Sequence, residues 1–209
     1  MGRLDHTHPR LARDHSCQSA ESVKMALSQV EFPTLVTERL RLREASMDDR
    51  DDFHALISIA EVTRFSNWVD APKMAQIERS LRWMIKIFPK GAGCSWIIED
   101  RVSGRLLGAI RFNSFDRRAR CAELGYELHP SAWGKGLMSE AARAVVRCGF
   151  DAFSLNRIEA WTLPGNTASD RVLEKTGFQY EGTLRQKARF KEAFHDFRMF
   201  GCLAGDRQN

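Results

Sequence analysis

The sequence predicts an α/β domain on a mixed, mostly antiparallel central sheet flanked by helices. Three observations predict it. Runs of strand period and helix period alternate in the order βααβββαβαββ. Two strand runs, 95–99 and 106–112, are separated only by a short turn over 100–104, which reads as a hairpin. The triplet Gly134-Lys135-Gly136 joins an apolar strand run to an amphipathic helix run, which is an α/β junction.

Each element has its own signal. In 38–44, Arg39, Arg41 and Arg43 alternate with Leu40 and Leu42, a strand with one wet face. Ser46, Asp48 and Asp49 supply a cap and an acidic first turn for a helix to about residue 59, with Phe53, Leu56 and Ile57 on one face. Ile77, Leu81, Met84 and Ile85 mark a second helix over 76–87. After the hairpin, Arg117, Arg118 and Arg120 occupy a loop, and 121–128 form a strand broken at His129 and Pro130. The helix run 137–150 carries apolar pairs about every fourth residue, with Glu140, Arg143 and Arg147 opposite. A strand over 156–162, a loop at Pro164-Gly165-Asn166 and a helix over 167–175 ended by Gly177 follow. Strands over 178–185 and 194–203 close the domain, with the charged stretch 185–192 between them as a loop.

Composition bounds the function. The chain has 209 residues, 43% apolar and 28% charged, enough for one well-buried core. The net charge of +5 favours acidic ligands, but without a nucleic-acid module no nucleic-acid partner is expected. No apolar run approaches the ~20 residues of a membrane helix, so no membrane partner is expected either. The five cysteines, Cys17, Cys94, Cys121, Cys148 and Cys202, are scattered with no C-x-x-C. That pattern predicts a reducing cytoplasm, no disulfide frame and no metal site. Residues 1–30 are expected to form a disordered tail, with Met25 as an alternative start, and 31–209 a single domain. A homodimer is compatible with the chain, whose oligomeric state the sequence leaves open.

The chemistry begins at Gly134-Lys135-Gly136. Two glycines at a strand-to-helix junction let a backbone approach a ligand closely, and the helix N-terminus presents free amides to an anion. Pyrophosphate fits, with Lys135 adding a cation. A plain tight turn with a helix cap is the competing reading. Neither nucleotide fingerprint is met: there is no G-x-x-x-x-G-K-[ST], and Ser139 stands where a dinucleotide loop needs its third glycine.

The stretch A-E-L-G-Y-E-L-H-P-S-A-W-G-K-G-L-M-S-E-A over 122–141, together with N-R-I-E-A-W-T-L-P-G-N-T-A-S-D-R-V-L-E-K-T-G-F over 156–178, resembles the GCN5-related N-acetyltransferases. Within them it is similar to the branch that acetylates ribosomal protein N-termini, over about residues 34–203. The resemblance implies a GNAT fold in which two central parallel strands, here 122–128 and 157–162, splay apart to receive acetyl-CoA. It implies that the amides of Gly134, Lys135, Gly136, Leu137 and Met138 hold the pyrophosphate, with Trp133 and His129 beside them. The backbone near Leu128 would polarise the thioester carbonyl. Asn166 and Ser169 match coenzyme-contacting positions, though Asn166 also reads as a helix cap. Glu123 stands at the position of the family's general base, and Glu127 lies on the same face as a second candidate.

Two departures stand out. Ser131 replaces the Gln or Arg that usually opens the phosphate loop, and Leu173 replaces a tyrosine general acid, leaving Ser169 as the candidate donor. The acceptor site would form from Phe65, Trp68, Arg185, Phe194 and His195, with Asp196 at an acidic position common in this branch. The expected reaction is acetyl transfer to a primary amine, a protein N-terminus or a small molecule. Deprotonating an α-amine of pKa ~7.8 at pH 7 costs about 1.1 kcal/mol, against about 4.6 for a lysine at ~10.4, so an N-terminal acceptor can be served mainly by positioning. A non-catalytic acyl-CoA sensor, and a tRNA-acetylating toxin using Arg39, Arg41, Arg43, Arg117, Arg118 and Arg120, are the alternatives.

Overall fold

A computed structural model describes residues 31–208, and the expected tail lies outside them. Thirteen elements follow in order among the described residues. β1 is Leu35–Val36 and β2 is Leu40–Glu44; α1 is Arg50–Ile57, α2 Ala60–Thr63 and α3 Met74–Ile87. β3 (Cys94–Asp100), β4 (Leu106–Asp116) and β5 (Cys121–Leu128) precede α4 (Leu137–Asp151). β6 (Arg157–Thr162), α5 (Thr167–Lys175), β7 (Gln179–Phe190) and β8 (Ala193–Leu203) complete the chain. The strands form one eight-stranded sheet in the order β1-β2-β3-β4-β5-β6-β8-β7, antiparallel at every step except β5–β6.

Helices cover both faces, so the middle strands are buried on two sides and read as continuous apolar runs. Trp96, Ile110 and Phe112 pack under α4 and α5 with Val145, Leu173 and Phe200. Ile97 and Ala109 point the other way, against Phe53 and Ile57 of α1 and Ile77 and Leu81 of α3. Each fully buried Val, Leu, Ile or Phe among these stabilises the fold by about 1.5–3 kcal/mol. No described helix is long and apolar enough to cross a membrane.

The first helix begins through a 3₁₀ turn over 47–49 that carries the cap the sequence implies, while α1 itself has no side-chain cap. Ser46 accepts from Asp48 N at 3.1 Å, and the Asp49 carboxylate accepts from Ser46 N at 2.7 Å, a reciprocal capping box. It stops earlier than expected, at Ile57, and the short α2 follows.

The last hairpin differs more from expectation. The charged stretch 185–192 is strand rather than loop as far as Phe190, and the turn is Lys191-Glu192, both at positive φ. A bulge between Leu184 and Ala188 absorbs the irregularity. Beyond it Phe190 stacks on His195 at 4.0 Å, so aromatic packing carries the ladder through a run whose charges stay in solvent.

One irregularity positions the site. β5 and β6 pair only through Cys121↔Arg157 to Leu124↔Ala160. Past that point β5 stays with β4 as far as Leu128↔Gly108, while β6 stays with β8 to Thr162↔Arg198. The two parallel strands therefore diverge and leave a V-shaped gap in the middle of the sheet.

Candidate active site

A cavity of ≈ 590 Å³ occupies the gap and is lined by residues from both faces of the sheet. Glu123, Gly125 and Glu127 share one face of β5, and Leu124 and Tyr126 share the other. The first face looks toward α3 and the 65–69 loop, the second toward α5, whose Asn166, Ser169 and Leu173 complete the wall.

The backbone of β5 faces the gap with free groups. His129 N–H donates to Leu107 O at 2.7 Å on the β4 side. Alternation along the strand then aims the amides of Tyr126 and Leu128 at the β6 side, where β6 has already moved away. Unspent donors in such a gap suit an extended amide-bearing chain, or a carbonyl that develops negative charge. The Leu128 carbonyl is already taken, accepting from Trp133 Nε1 at 2.7 Å.

The Gly134-Lys135-Gly136 loop stands at the open end of the gap. Gly134 and Gly136 lie at φ 71° and 73°, the left-handed region that a side chain disfavours. Gly136 is the N-cap of the 15-residue α4 and offers no side-chain cap, so the first-turn amides remain free for an anion. The side chains of Leu137 and Met138 are buried in the core, leaving only their amides for a ligand. A clamp from the β1–β2 turn fixes the loop. Arg39 donates to Glu140 at 2.7 Å and to the Lys135 carbonyl at 2.9 Å, and Thr37 donates to Glu140 at 2.6 Å. Burial alone would raise the Glu140 carboxyl, but these bonds overcome it and hold the group below the usual 4.5. A second cavity of ≈ 400 Å³ adjoins Gly136, with Arg143 and Lys175 at its edge.

The two candidate bases have different surroundings. Arg111 Nη1 donates to both oxygens of buried Glu127, at 2.8 and 2.7 Å. Arg111 Nε donates to Asn113 Oδ1 at 2.9 Å, and Asn113 Nδ2 donates to Glu123 Oε1 at 2.8 Å. Glu127 is thus spent on an ion pair, whereas Glu123 is oriented by a single amide. Gly125 makes room for this chain, since a Cβ there would stand 3.0 Å from Asn113 Nδ2.

The other sequence candidates divide. Phe65, Trp68, Asn166 and Ser169 line the main cavity. Asn166 also caps α5, accepting from Ser169 N at 3.3 Å, as its reading as a helix cap expects. His129 caps the short 130–132 turn, its Nδ1 accepting from Ser131 N at 3.1 Å. Arg185, Phe194 and His195 do not line the cavity. Arg185 is exposed on β7, the edge strand. Phe194 alternates with His195 on β8, so the two lie on opposite faces. His195 reaches the cavity wall only through Phe190, Phe197 and Trp161, the last two stacked at 4.0 Å. Asp196 accepts from Gln186 N within the hairpin bulge.

Sequence reasoning assigned no role to Arg111, Asn113, Tyr126 or Trp161. One signal was available: Arg111 is the single charge in the run L-L-G-A-I-R-F. Such a charge in a buried strand needs a partner.

Residues 39–179 match the family described as "Acetyltransferase (GNAT) domain". The chain is 38% identical over 155 residues to the uncharacterized N-acetyltransferase YoaA of Bacillus subtilis, covering 74% of this chain and 88% of that protein. It is 30% identical over 98 residues to the ribosomal-protein-serine acetyltransferase of Escherichia coli, covering 47% and 55%. In fold it is similar to the coenzyme A complex of RimL, a ribosomal α-N-protein acetyltransferase, with TM-score 0.75 at 20% identity over 82% of this chain and 98% of that one. A GNAT-family acetyltransferase from Bacillus anthracis superposes at TM-score 0.73 with 24% identity, covering 82% and 98%.

Proposed function

The chain belongs to the acetyltransferase (GNAT) family and is an acyltransferase, and on that premise we propose that it acetylates the α-amine of a protein N-terminus with acetyl-CoA as donor. The pantetheine arm lies in the gap between β5 and β6, against the free amides of Tyr126 and Leu128. The pyrophosphate rests on the amides from Gly134 to Met138, and Lys135, Arg143 and Lys175 offer cations for the phosphates. The amine enters from the other face, past Phe65 and Trp68, toward Glu123.

The observation that carries the choice of acceptor is the state of the carboxylates. Glu127 is neutralised by Arg111, and Glu123 alone faces the cavity with a free oxygen. One weakly supported base suits an α-amine, which costs about 1.1 kcal/mol to deprotonate at pH 7, better than an alkyl amine at about 4.6. The ribosomal-protein-serine acetyltransferase among the relatives agrees with this choice, whereas the Escherichia coli spermidine N(1)-acetyltransferase, 26% identical over 145 residues, represents the alkyl-amine alternative.

A thiol-release assay with acetyl-CoA over N-terminal peptides, free amino acids, polyamines and aminoglycosides tests the proposal. The expected result is the highest kcat/KM for a peptide with a free N-terminus, abolished by N-terminal blocking. Preferred turnover of a polyamine overturns the choice of acceptor. Saturable acetyl-CoA binding without release on any amine makes the protein a sensor instead.

A further inference from the structure

Tyr126 is the one phenol in the gap, and the roles assigned so far use only its backbone amide. Its ring projects from β5 toward α5, and its hydroxyl donates to the Ser169 carbonyl at 3.3 Å, a long bond for a hydroxyl donor. The face of α5 that lines the cavity presents Asn166, Ser169 and Leu173, at i, i+3 and i+7. Ser169 is the only hydroxyl on that face. The charged group that acts on Tyr126 is Asp170 on α5, whose carboxylate accepts from Arg198 Nε on β8 at 3.2 Å; Arg79, Arg111, Glu123 and Glu127 line the same cavity.

We infer that the Tyr126 hydroxyl, delivered from β5 across the gap, is the proton donor to the departing coenzyme A sulfur. This rests on the acetyl-transfer reading above. The amide of Tyr126 faces the same gap, so a carbonyl bonded there lies within one side chain's reach of the hydroxyl. The amine nitrogen forms the new C–N bond as the C–S bond breaks. The Tyr126 proton passes to the sulfur, the amine's surplus proton leaves by way of Glu123 or water, and solvent restores the phenol. Burial pushes the Tyr126 hydroxyl well above its ordinary value, so it is protonated at neutral pH. The same desolvation raises a thiol leaving group, so donor and acceptor move together. An aliphatic hydroxyl such as Ser169 is a weaker acid than a phenol of pKa ~10.

Tyr126→Phe keeps the ring and its packing. The expected result is a fall in kcat of roughly 10- to 100-fold with the acetyl-CoA dissociation constant within about twofold, a larger fall in kcat than Ser169→Ala produces. A binding comparison reads the same contact without turnover: Tyr126→Phe should weaken coenzyme A but not desulfo-coenzyme A in calorimetry. The chain has two tyrosines, so the difference between ultraviolet titrations of wild type and variant isolates the Tyr126 ionisation, expected above the ordinary phenol value of about 10. The inference is overturned when Tyr126→Phe keeps kcat within twofold while Ser169→Ala loses it. It is equally overturned when both coenzyme forms weaken alike. Absence of turnover on every amine would sink the acetyl-transfer reading, while the binding comparison would still decide the role of Tyr126.

Discussion

Arg111 and Glu127 face each other from neighbouring strands, with one guanidinium nitrogen 2.8 and 2.7 Å from the two carboxylate oxygens. The pair is buried, so it holds structure at the floor of the gap and removes Glu127 from competition with Glu123. Removing one partner of such a pair strands the other charge and costs about 3–5 kcal/mol. Glu127→Gln should therefore lower the urea midpoint strongly. Glu123→Gln should leave the midpoint nearly unchanged and lower kcat by about 100-fold. Equal stability of the two variants would contradict this division.

Asn113 links the pair to Glu123, accepting from Arg111 at 2.9 Å and donating to Glu123 at 2.8 Å. Asn113→Ala should release the Glu123 carboxylate from its orientation. The expected outcome is a loss of roughly tenfold in kcat with little change in acetyl-CoA affinity, measured by steady-state kinetics beside calorimetry.

Gly136 tests the anion cradle. A Cβ there meets only Arg39 Nη2 at 3.9 Å, so Gly136→Ala costs backbone strain alone, about 1–2 kcal/mol. Gly136→Glu adds a carboxylate beside the phosphates and should weaken acetyl-CoA by a further tenfold or more, about 1.4 kcal/mol. Thermal unfolding and calorimetry separate the two contributions.

Glu140 predicts an acid limb in stability. Its folded value lies below the usual 4.5, so its contribution is complete above 4.5 and is lost as pH falls through the folded value. Glu140→Gln should be less stable than wild type at neutral pH, and the difference should shrink below about pH 4.5. Urea titrations at pH 7, 5 and 3.5 would show it, and a constant difference would refute it.

Lys191, at the tip of the β7–β8 hairpin, donates to the Thr63 carbonyl at 3.0 Å and pairs with Asp70 at 2.7 Å. The hairpin thereby pins the loop that carries Phe65 and Trp68. An exposed pair of this kind is worth about 0–1 kcal/mol, so Lys191→Ala should barely change the melting temperature. Faster hydrogen exchange over 64–73 and an acceptor KM raised about threefold are expected, with acetyl-CoA affinity unchanged.

Gly134-Lys135-Gly136 was legible because its signal is local: left-handed φ selects glycine, and a helix start frees amides whatever surrounds it. Strand and helix periods likewise disclosed most elements, since each face answers to one core. The charged stretch 185–190 misled because its strand is held by Phe190 against His195, a contact set by register rather than by composition. Glu123 and Glu127 were indistinguishable in the sequence, because period two puts both on one face. Only the β4–β5 register, which sets Glu127 beside Arg111 and Glu123 beside Asn113, separates them. Tyr126 and Ser169 lie 43 residues apart in the chain, and only the splay of β5 from β6 brings hydroxyl and carbonyl together. By itself the sequence determined the family and most of the element order, though not β1 or α2, and the glycine turn that opens α4, because backbone conformation and side-chain period are short-range. The tertiary structure decided which carboxylate is free, which aromatic groups reach the gap and which hydroxyl faces it, because those depend on strand pairing across the fold.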